Sequence, residues 1–276
     1  MVQVSTHAAR GFIPMMELID RDKELARLNK EKAGAEKEIA MFTRQLDNPG
    51  FVNKAPAQVV EDIRAKLARA LGVRLHTHLC ETKDEERFTL EAVGMRPLAY
   101  MESCGWLGED VWYAHGIHFN DQELRLLAQT GTGVAHCPVS NMKLASGVAP
   151  VPAMLDAGVR LALGSDGAAS NNRLNMFTEM GRAALLHKAA GDPETMPART
   201  VLDMATRGGA AAMGGDGGVL AVGRPADCIA LDLSAPNMQP LFNAASHAVY
   251  AATGMEVALT MVAGEVLYRD GRFSRF

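Results

Sequence analysis

Val73-Arg74-Leu75-His76-Thr77-His78-Leu79-Cys80-Glu81 opens as a short β-prone run and ends in ionisable residues. Three similar runs follow, over residues 111–114, 133–136 and 159–163. They close on His115-Gly116-Ile117-His118, His136-Cys137-Pro138 and Ser165-Asp166-Gly167. Helical patterns over 83–93, 97–104, 121–129 and 152–157 separate them. Short strands alternating with helices predict βα units on a parallel sheet. In such sheets reactive side chains gather at the C-terminal strand ends, where the loops open onto one face. A lone strand-end histidine is usually a hydrogen-bonded structural residue. Four consecutive runs ending in His, His, His and Asp point instead to a site. Residues two apart on a strand share a face, so His76 and His78 project together and Thr77 the other way.

Outward from this core the chain changes character. On the C-terminal side, helical stretches run from 176 to about 188 and over 198–213, followed by a Gly/Pro-rich β region over 217–232 and 257–269. On the N-terminal side, 14 of the 30 residues between Glu17 and Leu46 are charged, seven of each sign. Apolar residues recur there at sevens, at Leu18, Leu25, Ile39 and Leu46, with Leu28, Ala35 and Phe42 three residues after members of that series. This is an a/d seam about four heptads long, flawed at Lys32 and Arg21. Glu17/Arg21 and Glu24/Arg27 stand at helical pairing distance. Asp47-Asn48-Pro49-Gly50 stops the helix, and Pro56 opens a second with Val60, Ile63 and Leu67 on one face. The expected division is a helical hairpin over 1–70, a βα region over 71–215 and a β segment over 216–276.

Composition excludes some classes. The 276 residues are 48% hydrophobic and 22% charged with net charge −4, which argues against disorder and against a strongly basic nucleic-acid or membrane binder. No stretch approaches the roughly 20 apolar residues of a membrane span. Residues 1–10 lack a signal-peptide pattern. Cys80, Cys104, Cys137 and Cys228 are widely spaced with no CxxC, which fits reduced thiols in a cytoplasmic protein.

Imidazole nitrogen and carboxylate oxygen suit a borderline cation such as Zn²⁺, with Fe²⁺ the alternative. A metal so held brings the pKa of a bound water to about 7. Glu81, three residues beyond His78, is placed to move that water's proton. His7, His118, His187, His247 and the cysteines read as structural.

Residues 72–276 resemble the amidohydrolase superfamily in its aminohydrolase branch. The matching blocks are His76-Thr77-His78-Leu79-Cys80-Glu81-Thr82, Ala114-His115-Gly116-Ile117-His118, His136-Cys137-Pro138-Val139-Ser140-Asn141 and Gly164-Ser165-Asp166-Gly167 through Asn172. Gly223-Arg224-Pro225-Ala226-Asp227-Cys228 resembles the small β domain that follows the family's barrel. Residues 166–176 are most similar to S-adenosylhomocysteine and 5′-methylthioadenosine deaminases. Residues 105–147 are also similar to 8-oxoguanine deaminases and triazine aminohydrolases. The resemblance implies His78 as a metal ligand, Asp166 as ligand and proton acceptor, Glu81 as proton shuttle to the ring, and His115 at the reacting centre. His136 is carried as a second substrate contact with its role open. His76 is the candidate third ligand.

Residues 11–69 resemble the C-terminal coiled-coil arm of valyl-tRNA synthetase, through Ile13-Pro14, Leu18-Ile19-Asp20, Leu46-Asp47-Asn48-Pro49-Gly50-Phe51-Val52 and Lys54-Ala55-Pro56. Residues 10–70 carry 12 basic and 10 acidic side chains, so only weak tRNA contact is expected. The amidohydrolase match begins near the fifth of eight strands. The expected fold is therefore α/β, a partial (β/α)8 barrel of about the last four strands with a C-terminal β segment, preceded by an antiparallel helical hairpin (coiled coil). Unpaired edges of such a sheet invite self-association. Three readings stand: a metal-dependent deaminase of purine nucleosides or related amino-heterocycles, a tRNA-interacting arm with a passenger domain, and a chimaeric product without an evolved activity.

Overall fold

The structure, a computed structural model, describes residues 2–5, 10–13 and 21–275, with side chains from Asp22 to Arg275. The chain divides into two units, Met1–Val73 and Arg74–Phe276. Leu18, Glu17, His7 and the block 14–20 lie outside the described residues.

In the first unit, β1 (Val2–Ser5) pairs antiparallel with β2 (Arg10–Ile13). A long helix, Arg21–Leu46, then gives way to a single turn, Pro49–Val52. The Asn48 side chain caps that turn by accepting from the Gly50 N–H, and Pro49 fills its first position, where no N–H is needed. A third helix, Ala57–Ala70, packs back on the first. The Glu24–Arg27 pair forms at 2.6 Å, and Arg27 also reaches Glu31. The expected four-heptad seam is only partly buried. Ile39, Phe42 and Leu46 are half-buried, whereas Leu25 and Leu28 are 54% and 48% exposed. Length explains this: 14 residues of helix reach about 21 Å, against about 39 Å for the 26-residue helix.

The second unit is built on a four-stranded parallel sheet in the order β3 (Leu75–Leu79), β4 (Val111–His115), β5 (Gly133–His136) and β6 (Arg160–Leu163). Register pairs Leu75 with Val111, Trp112 with Gly133 and Gly133 with Arg160. One face carries Leu75, Leu79, Val111, Tyr113, Val134 and Leu161, all buried. The opposite face carries His76, His78, Trp112, Ala114, Ala135 and Ala162. The crossover helices Lys83–Val93, Asp121–Thr130 and Val151–Ala157 end on left-handed Gly94, Gly131 and Gly158. Thr82 and Asn120 cap the first two, Asn120 in a full capping box with Glu123.

The expected helix over 198–213 is not regular. Ala198–Asp203 passes through a π turn, Met204–Gly208, before Gly209–Ala212. The turn brings Gly208 onto the backbone of edge strand β6: a Cβ there would lie 2.0 Å from the Leu161 carbonyl oxygen. A local widening of the helix lets it lie on a strand backbone that a side chain would hold away. Beyond it lie an antiparallel sheet ordered β10 (Arg272–Phe273), β9 (Glu265–Arg269), β8 (Val257–Val262) and β7 (Cys228–Leu231), and a helix, Ala244–Tyr250. Asn175, capping the Met176–Ala190 helix, donates to the Thr253 carbonyl at 2.8 Å and so ties that helix to the C-terminal region. No disulfide joins the four cysteines. Among the described residues no helix is long and apolar enough to cross a membrane.

Candidate functional site

The C-terminal ends of β3, β4 and β6 each turn on a residue in the left-handed region: Cys80 (φ 53°), His115 (φ 73°) and Asp166 (φ 57°). For a residue with a Cβ this conformation costs on the order of 1–2 kcal/mol, so the surroundings must hold it. Its effect is to re-aim side chains. Strand alternation alone would put His115 beside Val111 and Tyr113 on the helix-covered face. With its backbone left-handed, its ring joins His78 and Asp166, where one ligand atom from each lies within 4.8 Å of the others. His78 Nε2 stands 3.5 Å from Asp166 Oδ1, and the His78 and His115 ring centroids are 5.1 Å apart. Glu81 Oε2 is 3.6 Å from His115 Nε2.

Each member is held from behind. Ser140 Oγ donates to Asp166 Oδ2 at 2.7 Å and Ser170 Oγ donates to the same oxygen, leaving Oδ1 toward His78. Burial alone would raise the Asp166 pKa. The two hydroxyls, the Gly167 N–H and His115 outweigh it and bring the carboxyl down to about 2, so it is ionised and a competent metal ligand. His115 Nδ1 donates to Asn141 Oδ1 at 2.8 Å, which leaves the Nε2 lone pair facing the site. Ser146 Oγ donates to Glu81 Oε1 at 3.3 Å. The backbone under Glu81 is fixed by Glu85, whose two oxygens accept from the Cys80 and Glu81 N–H groups at 2.9 Å each.

Two expected positions fall elsewhere. The His76 ring stacks on Trp112 (3.5 Å, 15°), and its Nδ1 lies 3.1 Å from the Trp112 carbonyl oxygen. It shares a face with His78 but sits two residues, about 6.6 Å, lower on the strand. The side chain grouped with His78 and Asp166 is His115, and His76 lies outside that group. His136, carried as a substrate contact, is 0% exposed on the helix side of the sheet, its ring 5.3 Å from that of His187. Burial first, then His187 and His115, push its pKa down to about 3, so it is a neutral buried imidazole. Ser140, Asn141, Ser146, Ser170 and Asn171 also stand at the site, without a role assigned by spacing. Their signal was faint: small polar residues in apolar stretches directly after strand ends.

A His78 nitrogen and an Asp166 oxygen are donors that suit a zinc ion, and His115 offers its ring nitrogen to the same point. Comparison with known proteins bears on what such a site belongs to. The model of the amidohydrolase family matches residues 5–267, a span that includes the segment with the synthetase-arm resemblance. The chain belongs to the amidohydrolase family. It is 58% identical over 231 residues to a 5-methylthioadenosine/S-adenosylhomocysteine deaminase of Desulfovibrio desulfuricans, covering 83% of this chain and 52% of that one. Among solved structures it is similar to an adenosine deaminase from Xanthomonas campestris with bound zinc (TM-score 0.77, 37% identity, 79% of this chain and 51% of the other). It is also similar to the zinc complex of an atrazine chlorohydrolase from Arthrobacter aurescens (TM-score 0.75, 31% identity, 79% and 49%). The chain spans about half the length of the curated relatives it matches.

Proposed function

We propose that this amidohydrolase chain serves the zinc-dependent hydrolytic deamination of an amino-purine nucleoside of the 5′-methylthioadenosine or S-adenosylhomocysteine type. The carrying observation is the convergence of His78, His115 and Asp166, with Glu81 alongside, at the open ends of parallel strands. His78 and Asp166 would hold the ion, which when bound would acidify water and polarise the reacting centre. Glu81 carries a proton from the attacking water to the ring and leaving amine. His115, its tautomer set by Asn141, contacts the carbon under attack. Water adds at the carbon bearing the exocyclic amine, the C–N bond breaks, and ammonia leaves with a carbonyl in its place. The names of similar proteins support this substrate class. Four cysteines outside any disulfide support a reducing, cytoplasmic setting. The tRNA reading rests on residues 11–69 alone, where near-balanced charge gives phosphate little hold.

The test measures bound zinc together with ammonia release from 5′-methylthioadenosine, S-adenosylhomocysteine and adenosine. His78→Ala and Asp166→Ala are expected to lose both. Glu81→Gln is expected to keep zinc while kcat falls by about 10²–10⁴. Folded, zinc-loaded protein that releases no ammonia from any of the three refutes the proposal and leaves family membership alone.

A further inference from the structure

We propose that Glu179 is a positioning residue for this site, its buried carboxylate joining the two segments that orient Asp166 and His115. The inference rests on the reading of Asp166 as a metal ligand. Glu179 lies in the first turn of the Met176–Ala190 helix and is 0% exposed. Oε1 accepts from Asn171 Nδ2 at 2.6 Å, and Oε2 accepts from the Val139 N–H at 3.3 Å. Each contact leads directly to the site. Asn171, itself 1% exposed, also donates through Nδ2 to the Ser165 carbonyl at 2.8 Å, immediately before Asp166. Val139 immediately precedes Ser140, which donates to Asp166, and Asn141, which accepts from His115. One carboxylate thus pins both the Pro138–Lys143 helix and the loop over 165–171.

Packing alone is a poor reason to keep this group. A carboxylate taken out of water is costly to bury unless hydrogen bonds or a cation compensate it. None of the ion pairs among the described residues involves Glu179, and burial pushes its pKa up against the two hydrogen bonds. The helix N-terminus offers some compensation. A leucine would fill the space without that cost. What only a two-oxygen acceptor supplies is a simultaneous hold on two backbone segments, one carrying a left-handed Asp166 that cannot keep its conformation unaided.

The test is zinc affinity, read by competition with a chromophoric chelator at pH 7, alongside urea unfolding midpoints. Glu179→Gln keeps the size of the side chain and one acceptor, but turns an amide NH₂ toward the Val139 N–H. It is expected to raise the zinc dissociation constant about 10-fold, in the range of outer-shell substitutions. Asn171→Ala should do the same, and the double variant should be little worse than either single, because both act on one path. Val201→Ala, a core truncation in the Ala198–Asp203 helix, controls for lost stability: its midpoint should fall while zinc affinity holds. Should Glu179→Gln fail to fold, Asn171→Ala carries the test. Wild-type protein that binds zinc, with folded variants that bind it equally, overturns the positioning role alone. Wild-type protein that takes up no zinc overturns this role together with the site reading beneath it.

Discussion

Glu256 offers a quantitative test of how the C-terminal region supports the site. It is 6% exposed and accepts four hydrogen bonds: from Asn237 Nδ2, Thr253 Oγ1 and the N–H groups of Thr253 and Gly254, at 2.5–3.0 Å. The turn it organises presents the Thr253 carbonyl to Asn175, the cap of the helix that carries Glu179. Burial would raise the Glu256 pKa, but the donors outweigh it and bring the carboxyl from 4.5 down to about 2. A drop of about 2.5 units at about 1.36 kcal/mol each corresponds to at most about 3 kcal/mol of folding stability. Because the folded-state pKa is the lower one, that stability is fully present above about pH 4.5 and is lost as pH falls toward 2. Glu256→Gln removes the charge and turns an NH₂ toward one pair of donors. Urea unfolding of the two proteins at pH 7, 5, 4 and 3 should show a gap of up to about 3 kcal/mol at the upper two pH values that narrows steadily below 4.5. A gap of the same size at pH 7 and pH 3 would show that ionised Glu256 does not supply this stability.

Four further outcomes follow from packing. Gly208→Ala places a methyl group against the Leu161 carbonyl oxygen, which as backbone cannot yield, and should lower stability by about 3 kcal/mol or more in urea titrations. Gly209→Ala, with only the Met204 carbonyl at 4.0 Å, should be neutral or stabilising by about 0.4–1 kcal/mol. In the first unit, Leu25→Lys should shift stability by no more than about 0.5 kcal/mol, the side chain being exposed. Val60→Ala, at 5% exposure, should cost about 1–2 kcal/mol, and thermal melts followed by helical circular dichroism separate the two.

The βα order of the second unit was legible because strand and helix have distinct periods and because each strand ended in polar residues. The long charged helix was legible for the same reason, but its burial was not. Heptad spacing reports which face is apolar and says nothing of how far a partner extends, so Leu25 and Leu28 looked like seam and lie in solvent. The C-terminal Ala244–Tyr250 helix is seven residues without a strong period, too short to be legible from spacing. At the site, His78, Glu81 and Asp166 stood at recognisable strand ends. The set that holds them did not, because Ser140, Ser170, Asn171 and Glu179 are single polar residues whose partners lie from 4 to 40 positions away.

The different positions of His76 and His115 show where alternation stops being a guide. Within β3 it held: His76 and His78 share a face, and the stacking of His76 on Trp112 follows from the register that pairs those residues. At the end of β4 it failed, because His115 has left the extended region for φ 73°. Alternation would have placed its ring among Val111 and Tyr113, where an imidazole has little to bond. The left-handed turn gives it Asn141 on one nitrogen and turns the other toward His78 and Asp166. Asp166 makes the same turn at the end of β6. Two strained residues from separate strands converging on one point is not an arrangement that core packing selects, since each would be more stable extended. The strain is balanced by the hydroxyls, amides and carboxylate behind the site. Loosening those groups, rather than only removing a ligand, should therefore be enough to open it.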